Sequence, residues 1–256
     1  MADGTVYLVG AGPGAPDLLT LRAARLLAAA DIVFHDALVH PGTIALAERA
    51  EKVAVGKRHG EHSTAQAFIN KRLVDAARKH RVVVRLKGGD PMLFGRAQEE
   101  IDALAVAGIA CEVVPGITAA LAASADLGIS LTRRGMSRSV TFATPRVGRA
   151  EQPTDWIKPV LETDTAVLYM SAHEAQSIAA ALIARGKPPG TPVAIVENAS
   201  LPDVAHQITT LKALSTNGFR PLSAPVLLMI GAVYREALER PALHPYCSHQ
   251  SHLSAA

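Results

Sequence analysis

Two glycine-rich segments and a set of cations carry the chemistry open to this chain. The first segment is Gly10-Ala11-Gly12-Pro13-Gly14-Ala15, set between an apolar run and a helical pattern. Its spacing matches the G-x-G-x-x-G/A dinucleotide fingerprint. Asp31 and Asp36 stand about 20 residues on, where a ribose-binding acid belongs. A nicotinamide-dependent oxidoreductase is therefore one reading. The physics opposes it, because a pyrophosphate is held by free backbone N–H groups at the loop and the helix start. Pro13 and Pro16 have no N–H to give. A Walker-type loop is excluded, since no Gly-Lys-Ser/Thr follows. A tight turn remains, able to approach a ligand closely while cradling anions poorly. The plain alternative is a turn that binds nothing.

The second segment, Arg85-Leu86-Lys87-Gly88-Gly89-Asp90-Pro91-Met92-Leu93-Phe94-Gly95-Arg96, is more informative. An apolar strand ends in two glycines, an acid and a proline. In open α/β sheets, ligands bind beyond the carboxyl ends of strands. Gly88 and Gly89 let a flat group approach the backbone, and Asp90 adds a carboxylate. S-adenosylmethionine is a cation with a ribose diol and no phosphate, which suits such a site. Asp90 also reads as a cap of the following segment. Lys57, Arg58, Arg85, Lys87, Arg96, Arg133, Arg134 and Arg138 gather around these loops in the sequence. Paired N–H donors of arginine recognise carboxylates, so a polycarboxylate ligand is one use for them. Taken singly, each is a solvated surface charge.

The elements that must position these residues alternate. Strands are expected at Thr5–Val9, Ile32–His35, Val53–Val55, Val82–Leu86 and Glu112–Val114, with helices at Asp17–Ala30, Ser63–His80 and Gln98–Ala107. Ser63 and Gln66 have the spacing of a capping box, and Gly108 stops the third helix. The rhythm predicts a largely parallel sheet. Pro115-Gly116-Ile117-Thr118 interrupts it. A second series follows: helix Ala119–Leu127, strands Ser139–Ala143 and Ala166–Met170, helix Glu174–Arg185, and strands Val193–Val196 and Val226–Val233. The expected division is 1–115 and 116–240, with a disordered tail at 241–256.

Bulk properties narrow the class. Of the 256 residues, 49% are hydrophobic and 19% charged, enough apolar chain for a sizeable core. Aromatics are only 4%, so Ala, Leu, Val and Ile must fill that core. The net charge of +3 is too small to imply nucleic acid. The two cysteines, Cys111 and Cys247, do not suggest a disulfide framework, which fits a reducing cytoplasm. No signal peptide is recognisable. The longest apolar run, Val226–Val233, is far short of the roughly 20 residues that span a bilayer. His244, Cys247, His249 and His252 in the tail, and His59 and His62 near Lys57, are ligand-type residues, but no metal site is expected.

The motifs Val9–Gly14, Asp17-Leu18-Leu19-Thr20-Leu21, Asp36-Ala37-Leu38-Val39, Gly56-Lys57-Arg58, Val84–Pro91, Phe94-Gly95-Arg96, Glu99-Glu100 and Val113–Thr118 resemble the tetrapyrrole methylases. The resemblance spans about residues 5–240, in the family's order. Arg85-Leu86-Lys87-Gly88-Gly89-Asp90-Pro91 is its most specific part. It implies an α/β protein of two α/β domains of the tetrapyrrole methylase type, with the active-site cleft between them, and a homodimer. S-adenosyl-L-methionine is the implied cofactor and S-adenosyl-L-homocysteine its product. The implied cofactor contacts are Pro13, Gly88, Gly89, Asp90, Leu93, Thr118, Ala119, Met170 and Ala199. Asp36 matches the proton acceptor and Lys57 the proton donor. Arg85, Lys87, Arg96, Arg133 and Arg134 are the expected substrate contacts.

The strongest likeness is to the branch that methylates uroporphyrinogen III to precorrin-2 via precorrin-1. Another precorrin methylase, or a diphthine synthase of the same fold, is the alternative. The nicotinamide enzyme and a non-catalytic binding protein stand behind these. Four segments depart from the family pattern. Ser130-Leu131-Thr132-Arg133-Arg134 stands for Pro-Leu-Thr-His-Arg, and Ala143-Thr144-Pro145 for Thr-Gly-His. Tyr169-Met170-Ser171 stands for Tyr-Met-Gly, and Ala199-Ser200 for Gly-Thr. All lie in the second series.

Overall fold

The computed structural model describes residues 3–55, 66–147, 152, 154–218 and 225–239. The chain divides into two compact units, Met1–Ala119 and Ala120–Ala256. No helix among the described residues is long and apolar enough to cross a membrane.

The first unit carries β1 (Thr5–Gly10), α1 (Leu21–Ala29), β2 (Ile32–His35), α2 (Pro41–Ala45), β3 (Glu51–Ala54), α3 (Gln66–Ala77), β4 (Val82–Lys87), α4 (Ala97–Val106) and β5 (Ala110–Val114). The strands form one sheet in the order β3-β2-β4-β1-β5, and every pairing is parallel. The expected parallel sheet is therefore found here. One face, through Val9, Val33, Val84 and Leu86, packs with Ala23 and Leu27 of α1. The other, through Val6, Leu8, Phe34 and Val83, packs with Leu73 of α3 and Leu104 of α4. Each fully buried leucine contributes about 1.5–3 kcal/mol. The exposed edge strand β3 carries Glu51 and Lys52, charges that discourage pairing with another chain.

The first helix is shorter than its periodicity predicts. Pro16–Leu18 makes a separate 3₁₀ turn, and α1 starts at Leu21 because the Thr20 hydroxyl accepts from the Ala23 N–H at 3.2 Å. Gly108, at φ 71°, follows α4 as expected. The Ser63 half of the expected capping box lies outside the described residues. The Gln66 side chain instead donates to Asn70 and Glu100.

The second unit contains α5 (Ala119–Leu127, beginning at the last residue of the first unit), β6 (Val140–Ala143), α6 (Ile157–Glu162), β7 (Thr165–Leu168), α7 (Ala175–Ala184), β8 (Pro192–Glu197), β9 (Ala205–Thr210), α8 (Leu211–Asn217), β10 (Val226–Gly231) and α9 (Arg235–Glu239). Its sheet runs β6-β7-β10-β8-β9. Only β6–β7 is parallel; β10 is antiparallel to both β7 and β8, and β9 to β8. The parallel sheet expected of the first series does not recur here, and the second series carried no expectation of strand direction. Strand β10 is buried along its whole length, and a uniformly apolar run carries no signal of direction. Strand β9 escaped notice because Ala-His-Gln-Ile-Thr-Thr is polar and sits at the sheet edge. The core is aliphatic, with Leu168, Ile178, Leu182, Ile195 and Leu228 at its centre.

Candidate functional site

In a parallel sheet all strands end on one side, so the turns after β1, β2, β4 and β5 converge. The two glycine loops pair directly. Gly12 N–H donates to Gly89 O at 3.2 Å, and Gly89 N–H donates to Gly12 O at 2.7 Å. Ala11 N–H donates to Lys87 O at 2.7 Å. The turn after β5 is held equally close. A Cβ on Gly116 would lie 2.2 Å from Gly89 O, and one on Gly10 would lie 2.5 Å from Gly116 Cα. Glycine is required at both positions by contact. Asp90 locks the assembly: its Oδ2 accepts from Gly116 N–H at 2.9 Å and its Oδ1 from Met92 N–H at 2.8 Å. Gly88 faces Leu38 of the turn after β2, and Gly89 faces Thr118. Gly88, Gly89, Asp90 and Thr118 are thus brought together beside the loop that carries Pro13.

This geometry decides between nucleotide types. The backbone N–H groups of Ala11, Gly12 and Gly89 are engaged with other turns, and Pro13 and Pro16 have none. A pyrophosphate would find few donors here. A nucleoside without phosphates needs only close backbone approach and polar acceptors, which the glycine turns supply.

A charge cluster lies just under these turns. Arg85 and Lys87 sit at alternate positions of β4, on the face toward α3 and α4. Arg85 Nε and Lys87 Nζ both bind Glu100 Oε1, at 3.1 and 3.0 Å, and Gln66 Nε2 donates to the same oxygen at 3.1 Å. Arg85 Nη2 reaches Asp36 Oδ1 at 2.5 Å. Side-chain exposure is 3% for Arg85, 3% for Lys87 and 0% for Glu100, against 32% for Asp36. Asp36 is the one member of this chain of ion pairs that solvent reaches appreciably. Burial, and next the Arg85 charge, push Lys87 below the usual lysine range, while Glu100 and Asp36 pull it back.

The expected substrate contacts fall into two groups. Arg85 and Lys87 are buried, with their donors turned to Glu100 and Asp36 rather than to a surface that a substrate carboxylate reaches. Arg96, Arg133 and Arg134 are exposed. Arg96 forms a two-point pair with Glu99 at 2.6 and 2.7 Å, and Arg133 pairs with Glu236 at 3.3 Å. Exposed pairs of this kind are worth roughly 0–1 kcal/mol, so they are readily exchanged for another anion. Lys57, His59 and His62 lie outside the described residues, as do the tail histidines. No group of three metal-ligating side chains occurs among the described residues.

In the second unit, β6, β7 and β8 run in one direction, since β10 is antiparallel to both β7 and β8. Thr144-Pro145, Met170 and Ala199 follow those three strands. Met170 is half exposed at φ 55°, and Ala199 is buried between Asn198 and Ser200 at φ 50° and 70°. The turn is held by Ser200 N–H donating to Asp126 Oδ2 at 2.7 Å. The other non-glycine residues with positive φ among the described residues are Phe94, next to Leu93, and Arg96. Such conformations cost on the order of 1–3 kcal/mol each and cluster at functional sites. Four of the five lie at or next to expected cofactor positions, and Arg96 is itself an expected substrate contact. Sequence reasoning missed Glu100 and Gly116 as parts of the assembly. Glu100 belonged to a quoted motif, yet nothing local says that a helix glutamate is buried against two cations.

A parallel sheet whose strand ends collect glycine turns and one acid defines an α/β protein built for a nucleoside-type ligand. The chain belongs to the tetrapyrrole (corrin/porphyrin) methylases, which residues 5–215 match. A uroporphyrinogen-III C-methyltransferase of Pseudomonas aeruginosa is 44% identical over 93% of this chain and 98% of its own. A siroheme synthase of Psychrobacter sp. is 46% identical over 90% of this chain but 48% of its own. The chain thus spans about half the length of the siroheme synthases it matches. Among solved structures, a uroporphyrin-III C-methyl transferase of Thermus thermophilus complexed with S-adenyl homocysteine superposes with a TM-score of 0.80. It is 40% identical, over 91% of this chain and 99% of that one.

Proposed function

We propose that this chain transfers methyl groups from S-adenosyl-L-methionine to ring carbons of uroporphyrinogen III, giving precorrin-2 by way of precorrin-1. One observation carries the reading: the reciprocal Gly12–Gly89 hydrogen bonds leave few donors for a phosphate beside the partly exposed carboxylate of Asp36. Family membership and the full-length Pseudomonas relative support it. Pro13, Gly88, Gly89, Asp90, Leu93, Thr118, Ala119, Met170 and Ala199 are the residues assigned to the cofactor. When bound, the cofactor supplies an electrophilic methyl group on sulfur. The rest is the work of this chain's residues. Holding donor and acceptor in near-attack geometry supplies about 7–11 kcal/mol of barrier reduction. Asp36 takes the proton that the alkylated macrocycle releases. Its Oδ1 holds Arg85, and its Oδ2 has no partner among the described residues. Lys57 keeps the proton-donor role that the family resemblance implies. Arg96, Arg133 and Arg134 are the cations available to substrate carboxylates, whereas Arg85 and Lys87 serve inside. The protein works as a cytoplasmic homodimer, and light scattering on the purified chain reads that state.

Two measurements test the function. Calorimetry with S-adenosylhomocysteine gives a binding isotherm, and NADH gives none. Incubation with methyl-labelled cofactor and uroporphyrinogen III gives two transfers per macrocycle. Binding of NADH overturns the cofactor. Methylation of a later precorrin, with uroporphyrinogen III untouched, overturns the substrate.

A further inference from the structure

We infer that Glu100 is a positioning residue, which acts through Arg85 to hold the Asp36 carboxylate in its working orientation. The inference rests on the reading of Asp36 as the proton acceptor. Glu100 stands in the first turn of α4, wholly buried. Its Oε1 gathers donors from β4 and α3: Arg85, Lys87 and Gln66. Arg85 then has all three guanidinium nitrogens assigned. Nε binds Glu100, Nη1 donates to Leu86 O at 3.3 Å, and Nη2 binds Asp36. A planar fork held at three points cannot turn. The Asp36 backbone is fixed independently, its N–H donating to Leu86 O at 3.2 Å. One carboxylate oxygen of Asp36 is therefore pinned, and the other is left for chemistry.

The cluster is poorly explained as a device for stability. Two cations and two carboxylates occupy a face that elsewhere packs Val6, Leu8 and Val83. Buried ion pairs are often no better than the apolar side chains that could replace them. Glu100 Oε2 is buried with no hydrogen-bond partner among the described residues, which adds a further cost. What the arrangement delivers is a rigid connection from the helix layer to Asp36, its only member with substantial exposure.

The test measures kcat, both KM values and S-adenosylhomocysteine affinity for Arg85→Lys and Glu100→Gln, each alone and combined with Asp36→Asn. Arg85→Lys keeps the buried charge, but one ammonium cannot span Glu100 and Asp36, and this variant carries the test should Glu100→Gln not fold. Each single variant is expected to lose about 10–100-fold in kcat, the scale of a displaced reacting group. KM and cofactor affinity stay within about 3-fold. In the Asp36→Asn background neither change lowers kcat further, because the group they position is gone. Wild-type kcat in Arg85→Lys overturns the inference, as does an undiminished loss in the Asp36→Asn background, which marks a merely structural role. Full turnover by Asp36→Asn alone overturns the parent assignment, a result separate from either of these.

Discussion

Both units build five-stranded sheets, but they collect their turns by different means. In the first, every strand runs the same way, so four strand ends meet and the glycines fit backbone against backbone. Its turns are held by Gly10, Gly116 and Asp90, and the layer beneath them is ionic. In the second, β6, β7 and β8 run one way and β9 and β10 the other. Its turns bend through Met170, Asn198 and Ser200 at positive φ, over an aliphatic core. Charge is handled differently too. Glu100 in the first unit binds two cations. Glu197 in the second is buried, its Oε2 without a partner among the described residues, and burial raises its carboxyl above the usual range. Close packing of turns therefore leaves the first unit most sensitive to one added methyl group, while strained backbone angles occur in both, at Phe94 and Arg96 in the first and at Met170, Asn198 and Ser200 in the second.

The sharpest break of this contrast is a glycine pair. Gly116→Ala drives a Cβ to 2.2 Å from Gly89 O and is expected to cost about 3 kcal/mol in urea unfolding. S-adenosylhomocysteine binding falls with it. Gly190→Ala in the second unit meets nothing within 4 Å and stays within about 0.5 kcal/mol. Equal losses at the two positions would remove the distinction.

Next in size are the two aspartates that pin turns. Asp90→Ala deletes both of its backbone contacts and costs about 2–3 kcal/mol. Asp126→Ala deletes the single bond to Ser200 and costs about 1.5 kcal/mol. Denaturation midpoints at constant slope measure both.

The smallest effect separates paired from unpaired carboxyls. Because the folded pKa of Glu197 is raised, the folded state holds its proton more tightly than the unfolded chain does. Its contribution is fully present below about pH 4.5 and is lost as the pH rises through the folded value. Glu197→Gln cannot ionise. It is expected to raise the thermal midpoint by about 2–4 °C at pH 8, the shift made by about 1 kcal/mol in a chain of this size. At pH 4 the gain shrinks. A gain independent of pH would mean that desolvation is not the cause.

The loops were legible because their residues are diagnostic locally. Lys87-Gly88-Gly89-Asp90-Pro91 has to be a strand end followed by a tight turn, and Gly108 has to stop a helix. Pro13 argued against phosphate before any contact was visible. Other features depend on partners far along the chain. Arg85 and Lys87 looked like surface cations, because Glu100, the acid that buries them, belongs to another element. The polar edge strand β9 was missed and the direction of β10 could not be read, since neither a polar edge strand nor strand direction leaves a distinctive period in the sequence.

Residue order by itself determined the alternation of strands and helices in the first unit, the glycine turns at their ends and the absence of spare loop donors at Pro13 and Pro16. These follow from local sterics and periodicity. Tertiary structure alone decided that Gly12 and Gly89 bind each other, that the second sheet is mixed, and that Glu100, Arg85 and Asp36 form one connected chain. Those outcomes rest on contacts between residues up to 77 positions apart, such as Gly12 with Gly89, which no local preference encodes.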